Sequence, residues 1–276
     1  MKIVIKIGGT LFKNNLEGLY EDILQLLKEG NKIAIVHGGG AQINQVLKEK
    51  GLEPRYLLST SGIKSRHTDE ETREAAIMAL AGLVNKKMVA GLQKKGINAF
   101  GFTGIDGASL IANRKKKILC VDPETSKRIV VRNDYSGKII PEKVNGSLIN
   151  LILENEYIPV IGALAIDEDG EILNTDGDRA AINICHKINA DVFISVTDVL
   201  GVYENLESNV LIPIIKDTEI DQVLEKVKGG MKKKIIAMQE ALELGVPRII
   251  ITSGLVNNGI SDALEGKIGT SIIKET

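Results

Sequence analysis

The sequence predicts an α/β protein, a three-layer α/β/α sandwich on a largely parallel central sheet. Apolar runs of strand length alternate with segments of helical period almost throughout the 276 residues, the pattern of strand–helix–strand units. Several apolar runs end in glycine clusters, as strands do where the chain turns sharply into a helix. With 43% hydrophobic and 26% charged residues, the composition is that of an ordinary globular protein.

The first hundred residues show this alternation most regularly. Gly30, Gly51 and Gly96 follow three amphipathic segments and predict the ends of three helices. The expected elements are a strand at residues 3–7, a helix from Leu16 to Glu29, a strand from Lys32 to His37, a helix from Ala41 to Lys50, a long helix that opens with a capping box at Thr68-Asp69-Glu70-Glu71 and runs to about Lys95, and a strand from Asn98 to Thr103.

Residues 110–138 depart from the alternation. Three short β-like pieces, Leu110–Ala112, Ile118–Val121 and Ile129–Val131, surround a turn at Asp122-Pro123. We expect these pieces to form antiparallel ribbons at the edge of the sheet.

The alternation then resumes and continues to the end of the chain. The expected elements are a helix from Asn145 to Asn155, a strand from Ile158 to Ile161, a helix from about Arg179, a strand from Val192 to Val196, a helix after Gly230, a strand from Arg248 to Thr252 and a strand near Thr270–Ile273. A soft boundary near residue 165 divides the chain into an N-terminal lobe, 1–165, and a C-terminal lobe, 166–276. No low-complexity linker marks this boundary, so we expect two lobes on one continuous sheet.

Charge and composition exclude several classes of function. The formal net charge of −1 and the aromatic content of 3%, without Trp, argue against a nucleic-acid partner. No apolar run approaches the ~18 residues of a membrane span, and no signal peptide is recognisable, so we expect no membrane partner and a cytoplasmic location. Cys120 and Cys185 have neither disulfide-framework nor metal-ligand spacing, so we expect two buried cysteines and no resident metal.

Three glycine clusters follow apolar strands, at Gly8-Gly9, Gly38-Gly39-Gly40 and Gly101–Gly107. At the carboxyl end of a parallel sheet, glycine N–H groups and helix N-termini form anion-binding sites. The alternative is that the clusters are tight turns without a ligand. Neither a P-loop signature nor a G-x-S-x-G nucleophile elbow is present, which argues against those nucleotide-binding and hydrolase classes.

Charged residues stand out at three places. Lys6 lies inside an apolar strand and either reaches solvent at a sheet edge or faces a phosphate. The polar loop Asn174–Asp178 precedes an apolar helix and is either an Asp-Gly turn with an N-cap or a ligand-binding loop. Lys232–Lys234 follow Gly229-Gly230 at a helix start, where cations oppose the helix dipole and indicate an anionic partner.

Taken together, these segments resemble the amino acid kinase family, which includes N-acetylglutamate kinase, aspartokinase and carbamate kinase. The resemblance spans the whole chain through six ordered motifs: Lys6-Ile7-Gly8-Gly9, His37-Gly38-Gly39-Gly40, Arg66-x-Thr68-Asp69, Asn174 to Asp178, Thr197-Asp198-Val199-x-Gly201-Val202 and Gly229-Gly230-Met231-x-x-Lys234. It implies an amino acid kinase or carbamate kinase-like fold and the ATP-dependent phosphorylation of a carboxylate.

The resemblance also implies a division of roles. The N-terminal lobe would bind the amino-acid substrate, and the C-terminal lobe would bind ATP, whose phosphates would carry most of the coordination of Mg²⁺. By this resemblance, Lys6 and Lys234 would neutralise the charge of the transferring phosphoryl group, and Asp178 would hold both lysines in place. The N–H groups of Gly8, Gly9, Gly39 and Gly40 would bind phosphoryl and carboxylate oxygens. The substrate would be bound by Arg66 and Asn174, and the nucleotide by Thr197, Asp198, Gly201 and Lys234. Because a carboxylate is already a nucleophile near neutral pH, no general base is required.

Within the family, three features favour the branch that acts on α-aminoadipate or glutamate attached to an acidic amino-group carrier protein of the LysW type. The loop Asn174-Thr175-Asp176-Gly177-Asp178 resembles that of the carrier-dependent kinases, whereas N-acetylglutamate kinases usually have Asn-x-Asn-Ala-Asp. The segment Asp134–Lys138 resembles the Tyr-x-Gly segment of the same branch.

The third feature is a basic stretch between Asn113 and Lys138, with eight Lys or Arg residues against three Asp or Glu residues. Such a stretch is either ordinary solvated surface or a site that steers an acidic carrier protein to the enzyme. The docking residues expected from the second interpretation are Arg114, Lys115, Lys116, Lys117 and Arg128.

Several alternatives remain open. N-acetylglutamate kinase, acting on the free acetylated amino acid, would share the fold and the catalytic groups, and uridylate, isopentenyl phosphate or carbamate kinases would share the fold. A non-catalytic amino-acid sensor of this fold would be expected to lack Lys6, Asp178 or Lys234, and all three are present. A homodimer is typical of the carrier-dependent branch. The choice between aminoadipate and glutamate depends on one methylene of pocket length and does not follow from the sequence.

Overall fold

The computed structural model describes residues 1–60, 62–121, 127–204 and 210–275. Within these ranges the strands are β1 (Lys2–Ile7), β2 (Lys32–His37), β3 (Tyr56–Ser59), β4 (Lys64–Arg66), β5 (Ala99–Thr103), β6 (Ala112–Arg114), β7 (Lys117–Val121), β8 (Arg128–Arg132), β9 (Gly137–Ile139), β10 (Ile158–Gly162), β11 (Leu164–Ile166), β12 (Ile172–Asn174), β13 (Val192–Thr197), β14 (Ile214–Lys216), β15 (Ile249–Ser253) and β16 (Thr270–Ile273). The α-helices are α1 (Glu17–Lys28), α2 (Gly40–Glu49), α3 (Glu70–Ile77), α4 (Asn85–Lys94), α5 (Gly146–Glu154), α6 (Gly177–Lys187), α7 (Ile220–Lys226), α8 (Gly229–Glu243) and α9 (Gly259–Leu264).

The central sheet has eight strands in the order β14-β16-β15-β13-β1-β2-β10-β5. All neighbours are parallel except β15 and β16. Successive residues of a strand face opposite sides. Val4 therefore packs in a core with α5, α6 and α8, while Ile3 and Ile5 pack in a second core with α1, α4 and α9. The predicted three-layer α/β/α architecture is confirmed.

The long helix predicted near Thr68 begins at Glu70. Its N-cap is Asp69, whose carboxylate accepts a hydrogen bond from the Thr72 N–H at 3.0 Å. The predicted capping box, with Thr68 as N-cap and Glu71 as its partner, is therefore wrong by one residue. The Thr68 side chain is fully buried and accepts a hydrogen bond from Asn174 Nδ2, so it faces the loop 174–178 and leaves the capping position to Asp69.

The same helix contains a π-helical segment, Met78–Val84, between α3 and α4. Such a segment accommodates one extra residue in the helix and is frequent at functional sites; the sequence did not predict it. By length and composition alone, Glu70–Lys94 could cross a membrane, the one such helix in the described ranges. In the structure it packs against α2 and against β5, as a core helix does.

The region 110–138 forms antiparallel pairs, as predicted. β7 and β8 form a hairpin, and β6 pairs with β9. The expected position at the edge of the central sheet is wrong, because β3 supplies the pairing edge for β7 and the strands β4-β3-β7-β8 form a sheet of their own. The first piece lies at Ala112–Arg114 instead of Leu110–Ala112, since the Leu110 N–H donates to the Gly104 carbonyl at 2.8 Å and its carbonyl accepts from the Ile166 N–H. The predicted turn at Asp122-Pro123 lies outside the described residues.

The two proposed lobes share one sheet. β1, from the N-terminal part, pairs with β13, from the C-terminal part, over five residue pairs. The suggested boundary at residue 165 falls inside β11, which forms a two-stranded hairpin with β12. The division into two lobes with different ligands stays a prediction.

Candidate active site

A cleft of about 630 Å³ opens at the carboxyl ends of β1, β2 and β12, beside the N-termini of α2 and α6. Glycine turns after these strands bring backbone from distant parts of the chain together, as expected for parallel strands that end at one edge. The sequence-predicted residues that line the cleft are Lys6, Gly9, Gly39, Gly40, Arg66, Lys115, Asn174 and Asp178.

Two lysines meet on one carboxylate at the floor of this cleft. Lys6 Nζ lies 3.1 Å from Asp178 Oδ2, and Lys234 Nζ lies 3.2 Å from Asp178 Oδ1. Ser195 completes the group, because its hydroxyl donates to Asp178 Oδ1 at 3.2 Å and accepts from Lys234 Nζ at 2.8 Å. Lys6 and Ser195 are paired residues of neighbouring strands, and both are buried.

The charges of this group keep Asp178 ionised. Burial alone would raise the pKa of Asp178, but the ammonium groups of Lys234 and Lys6 together hold it well below its usual range. Burial also lowers the pKa of Lys234, and the neighbouring Lys6 charge acts in the same direction. Two buried cations therefore share one anion, which leaves this group with a net positive charge that suits a phosphoryl group.

A second layer of ion pairs surrounds the first. Asp176 is the N-cap of α6 and accepts from the N–H groups of Asp178 and Arg179, each at 3.1 Å. Its other oxygen lies 2.5 Å from Lys233 Nζ. Arg179 in turn donates to Glu240 of α8 at 2.7 and 2.5 Å. These contacts tie the N-terminus of α6 to α8 and so fix the positions of Asp178 and Lys234.

The glycines of the cleft are needed for close packing. A Cβ on Gly39 would lie 2.7 Å from Leu80 Cδ2, and a Cβ on Gly9 would lie 3.0 Å from the Gly40 nitrogen. Gly39 precedes α2 without a side-chain cap, so the first N–H groups of that helix are left for an anion. The N–H of Gly8, in contrast, already donates to the Val196 carbonyl at 3.0 Å and extends the ladder between β1 and β13.

His37, just before these glycines, is fully buried and makes two contacts. Asn85 Nδ2 lies 3.0 Å from His37 Nε2 and also donates to the Val160 carbonyl at 2.9 Å. Because Asn85 is the donor, His37 Nε2 must be the acceptor, and Nδ1–H then donates to the Gly38 carbonyl at 3.1 Å. Burial lowers the pKa of His37 to about 4, so the imidazole is neutral near pH 7.

Arg66 and Asn174 lie on the other side of the cleft. Arg66 Nη2 donates to the Gly40 carbonyl at 2.9 Å, while Arg66 Nη1 is buried and has no hydrogen-bond partner in the described structure. A buried guanidinium nitrogen without an acceptor is costly unless a ligand supplies one. Asn174 Nδ2 donates to Thr68 Oγ1 at 3.2 Å, so the segment before the long helix and the loop 174–178 are connected.

The segment Asp134–Lys138 supports this part of the site. Asp134 is fully buried and accepts from His67 Nδ1 and the Thr68 N–H, each at 2.9 Å. The next residue, Tyr135, accepts at its carbonyl from the Asn174 N–H at 2.9 Å. The segment 134–138 thus holds the backbone at the start of the loop 174–178.

Of the residues predicted to bind the nucleotide, Lys234 lies at the floor of the cleft, whereas Thr197, Asp198 and Gly201 are not among its lining residues. Thr197 and Asp198 follow β13, with Thr197 Oγ1 donating to Asp198 Oδ1 at 3.0 Å. A Cβ on Gly201 would lie 2.5 Å from Thr270 Oγ1, so this glycine packs against β16. Thr197 adjoins Gly8, since its Cα would lie 3.9 Å from a Cβ there. The predicted nucleotide-binding residues Thr197 and Asp198 therefore lie next to the Gly8-Gly9 end of the cleft.

The predicted docking residues separate into three environments. Arg114 donates from Nε to the Asp134 carbonyl at 2.9 Å and stacks 3.7 Å from the centre of the Tyr135 ring, so it is engaged within the fold. Lys115 lines the cleft, where loss of hydration and the charges of Arg179 and Lys233 lower its pKa. Lys115, Lys116, Lys117 and Arg128 are all exposed to solvent, and the last three of these do not line the cleft.

Sequence reasoning missed Ser195, His37 and Asn85. Ser195 is a polar residue inside the apolar run of β13, which is the same signal that drew attention to Lys6 in β1. His37 was noticed only as part of a glycine motif. Asn85 has no local signal, because its partners come from β2, β5 and β10.

Comparisons with known proteins identify the family. Residues 1–253 match the model of the amino acid kinase family. The chain is 39% identical to a putative [LysW]-aminoadipate/[LysW]-glutamate kinase from Nitrosopumilus maritimus, over 95% of this chain and 96% of the relative. It is 38% identical to a [LysW]-aminoadipate/[LysW]-glutamate kinase from Metallosphaera sedula, over 98% and 99% of the two chains.

The fold is also that of known kinases. A carbamate kinase from Giardia lamblia, solved with bound AMP-PNP, superimposes with a TM-score of 0.68 at 21% identity, covering 99% of this chain and 98% of the other. At that identity the likeness shows the fold alone, and the predicted carbamate kinase-like fold is confirmed.

Proposed function

The chain belongs to the amino acid kinase family, and from this we propose that it transfers the γ-phosphoryl group of ATP to the side-chain carboxylate of α-aminoadipate or glutamate attached to a LysW-type carrier protein. The product would be an acyl phosphate, the activated form of the carboxylate, in the biosynthesis of lysine or arginine. Curated relatives over nearly the whole chain support this function.

The observation that carries the proposal is the pair of buried lysines on Asp178. Lys6 reaches this carboxylate from β1 and Lys234 reaches it from α8. Phosphoryl transfer needs alignment of two anions and neutralisation of the charge on the transferring group. Two cations held in fixed positions at the floor of a cleft meet that requirement.

The proposed step is an in-line displacement. An oxygen of the substrate carboxylate attacks the γ-phosphorus, the bond from this phosphorus to the β,γ-bridging oxygen breaks, and ADP leaves with that electron pair. No proton has to be removed from the nucleophile. Lys6 and Lys234 stabilise the equatorial oxygens, and the N–H groups at Gly9, Gly39 and Gly40 orient the phosphoryl and carboxylate oxygens.

Arg66 and Asn174 would position the amino-acid part of the substrate. Arg66 Nη1 is the buried donor without a partner, and the α-carboxylate of an amino acid is the acceptor that a guanidinium group prefers. Thr197, Asp198 and Gly201 would contact the nucleotide next to Gly8.

Mg²⁺ would enter with ATP. Asp176 and Asp178 are already paired with lysines, so their oxygens are poor ligands for a free cation. The phosphates of ATP are the ligands that remain, and Mg²⁺ bound there would neutralise part of their charge.

As part of the same proposal, the enzyme works in the cytoplasm as a homodimer. Support for a dimer comes from two exposed apolar residues near the free edge of the central sheet. Phe100 of β5 is 51% exposed, and Met78 of the adjacent long helix is 56% exposed. Light scattering coupled to size-exclusion chromatography should give twice the mass of the 29.9 kDa chain.

The proposed function is tested by ATP turnover with three substrates in parallel: carrier-linked aminoadipate, carrier-linked glutamate and free N-acetylglutamate. We expect turnover with the carrier-linked pair, and their ratio assigns the pathway. Strong turnover with free N-acetylglutamate alone would leave the fold and chemistry standing and reject the carrier-linked substrate. The Lys6→Ala variant, which should lack turnover with all three, is the background control.

A further inference from the structure

The outer face of the small sheet β4-β3-β7-β8 is apolar at its centre and basic around it. In the β7–β8 hairpin, Leu119 lies opposite Val130, and both are about half exposed, at 50% and 51%. The alternate residue Ile118 lines the cleft from the inner face. One sheet therefore forms a wall of the cleft on one side and presents an apolar strip to solvent on the other.

Two cross-strand pairs flank this strip with positive charge. Lys117 lies directly opposite Arg132, and Arg128 lies opposite Val121. Like charges directly opposite in an antiparallel pair destabilise a sheet. Within the described part of the chain none of these three cations forms a salt bridge, and all three are exposed. The repulsion between these cations lowers the stability of the free sheet, and an anionic partner bound to this face would relieve it.

We propose, on the basis of the proposed function, that the acidic carrier protein docks on this outer face. Leu119 and Val130 form the centre of the face, and the cations Lys117, Arg128 and Arg132 lie around them. Its apolar centre and charged rim are the usual division of a protein interface. The strands that form it, 56–59, 64–66, 117–121 and 128–132, carry five Lys or Arg residues and no Asp or Glu, which suits an acidic partner.

The position of the face explains how a tethered substrate reaches the lysines. Ser59, Ser65 and Ile118 of the same sheet line the cleft. A carrier bound to the outer face would lie one sheet thickness from the cleft wall, and the linked amino acid would enter over the sheet edge. The docking set expected from the sequence changes accordingly, because Arg114 is engaged with Tyr135 and Lys115 belongs to the cleft.

Two double variants test this face: Leu119→Ser with Val130→Ser, and Arg128→Glu with Arg132→Glu. We expect each to raise KM for carrier-linked glutamate by about tenfold or more, equivalent to about 1.4 kcal/mol, with kcat and KM for ATP unchanged. Titration calorimetry with a LysW-type carrier lacking the linked amino acid should show the same loss of affinity. For the wild type, KM should rise with NaCl concentration, and the charge-reversed variant should lose this dependence.

Matched controls are available elsewhere on the surface. Leu151→Ser changes a leucine that is 56% exposed on α5, and Lys226→Glu reverses an exposed charge on α7; neither should alter KM for the carrier-linked substrate. If the wild type uses this substrate and both double variants keep its KM and the carrier affinity, the docking proposal is wrong and the proposed function stands. A wild type that neither binds the carrier nor phosphorylates its substrate overturns both.

Discussion

At the scale of single residues, the site depends on buried charges that neutralise one another only in part. Lys6, Asp178 and Lys234 come from positions far apart in the chain and meet within 3.2 Å. Taking such groups out of water is unfavourable unless each charge has a partner. The surplus of one cation is tolerated here because the Ser195 hydroxyl accepts a hydrogen bond from Lys234 and the Asp176 carboxylate adds negative charge nearby. A phosphoryl group would complete the neutralisation.

The lysines can be tested one at a time. Lys6→Ala and Lys234→Ala should each lower kcat by roughly 10²–10³-fold, the usual effect of removing one group that stabilises transition-state charge. Lys232→Ala, an exposed lysine on the same helix, is the matched control and should turn over normally. Circular dichroism should show all three variants folded. Near-wild-type turnover in Lys6→Ala or Lys234→Ala would refute their role.

His37 gives the protein a pH-dependent stability. Its folded-state pKa of about 4 lies below the ordinary value of 6.5, so the unfolded chain binds a proton that the folded chain does not. Stability should therefore fall as pH decreases from about 6.5 toward 4, by on the order of 3 kcal/mol across that window. Urea unfolding of wild type and His37→Asn at pH 7 and pH 5 measures the difference. An equal pH slope in both proteins would show that His37 is not the titrating group.

At the scale of elements, the N-terminal ends of helices position the residues of the cleft. α2 and α6 both begin at the cleft, and α6 is capped by Asp176, whose second oxygen holds Lys233. The π-helical segment Met78–Val84 places Leu80 and Val84 against Gly39 and is followed directly by Asn85. The geometry of the glycine loop thus depends on a helix irregularity that lies outside the loop.

Two substitutions distinguish Asp69 from Thr68 as the N-cap of the long helix. Asp69→Ala should lower the free energy of unfolding by about 1 kcal/mol, the typical value for an N-cap carboxylate. Glu71→Ala, which would have removed the partner in the box expected from the sequence, should change it by much less. Urea denaturation of both variants checks this. A larger loss for Glu71→Ala than for Asp69→Ala would favour the original capping box.

At the scale of the whole molecule, the site exists only because the two halves of the chain form one sheet. β1 is a central strand between β2 and β13, and its residues Ile3–Ile7 are buried. The core on the Ile3 face also combines residues from both halves, including Ile194 and Ile250. The proposed lobes therefore share one sheet and one core, and we expect them to unfold as one cooperative unit.

Dividing the chain tests this cooperativity. Fragments 1–165 and 166–276, expressed separately, should each lack a cooperative urea transition, because each loses a neighbour of a buried central strand. The intact chain, measured under the same conditions, is the control. A sharp, independent transition in fragment 1–165 would show that the N-terminal part folds alone.

Much of this organisation could be predicted from the sequence. Strand and helix periodicity are local properties, and they gave the α/β class and β1, β2, α1 and α2 within a few residues. The glycine clusters and the ordered motifs indicated the family and Lys6, Asp178 and Lys234 as its charged groups. Short strands such as β3 and β4 escaped prediction, because three or four residues carry too little periodicity.

The contacts between these segments needed the tertiary structure. Lys6 and Asp178 are 172 positions apart, and Lys234 and Asp178 are 56 apart; no local pattern says that they share one carboxylate. The capping of the long helix was misplaced because Asp69 and Thr68 are both good N-cap residues, and only the fold shows that Thr68 faces Asn174, over a hundred positions away, while Asp69 faces the helix. Local preferences follow from the sequence over a few turns or strands, whereas the partner of a buried polar group follows from the order of strands in the sheet, which only the folded chain determines.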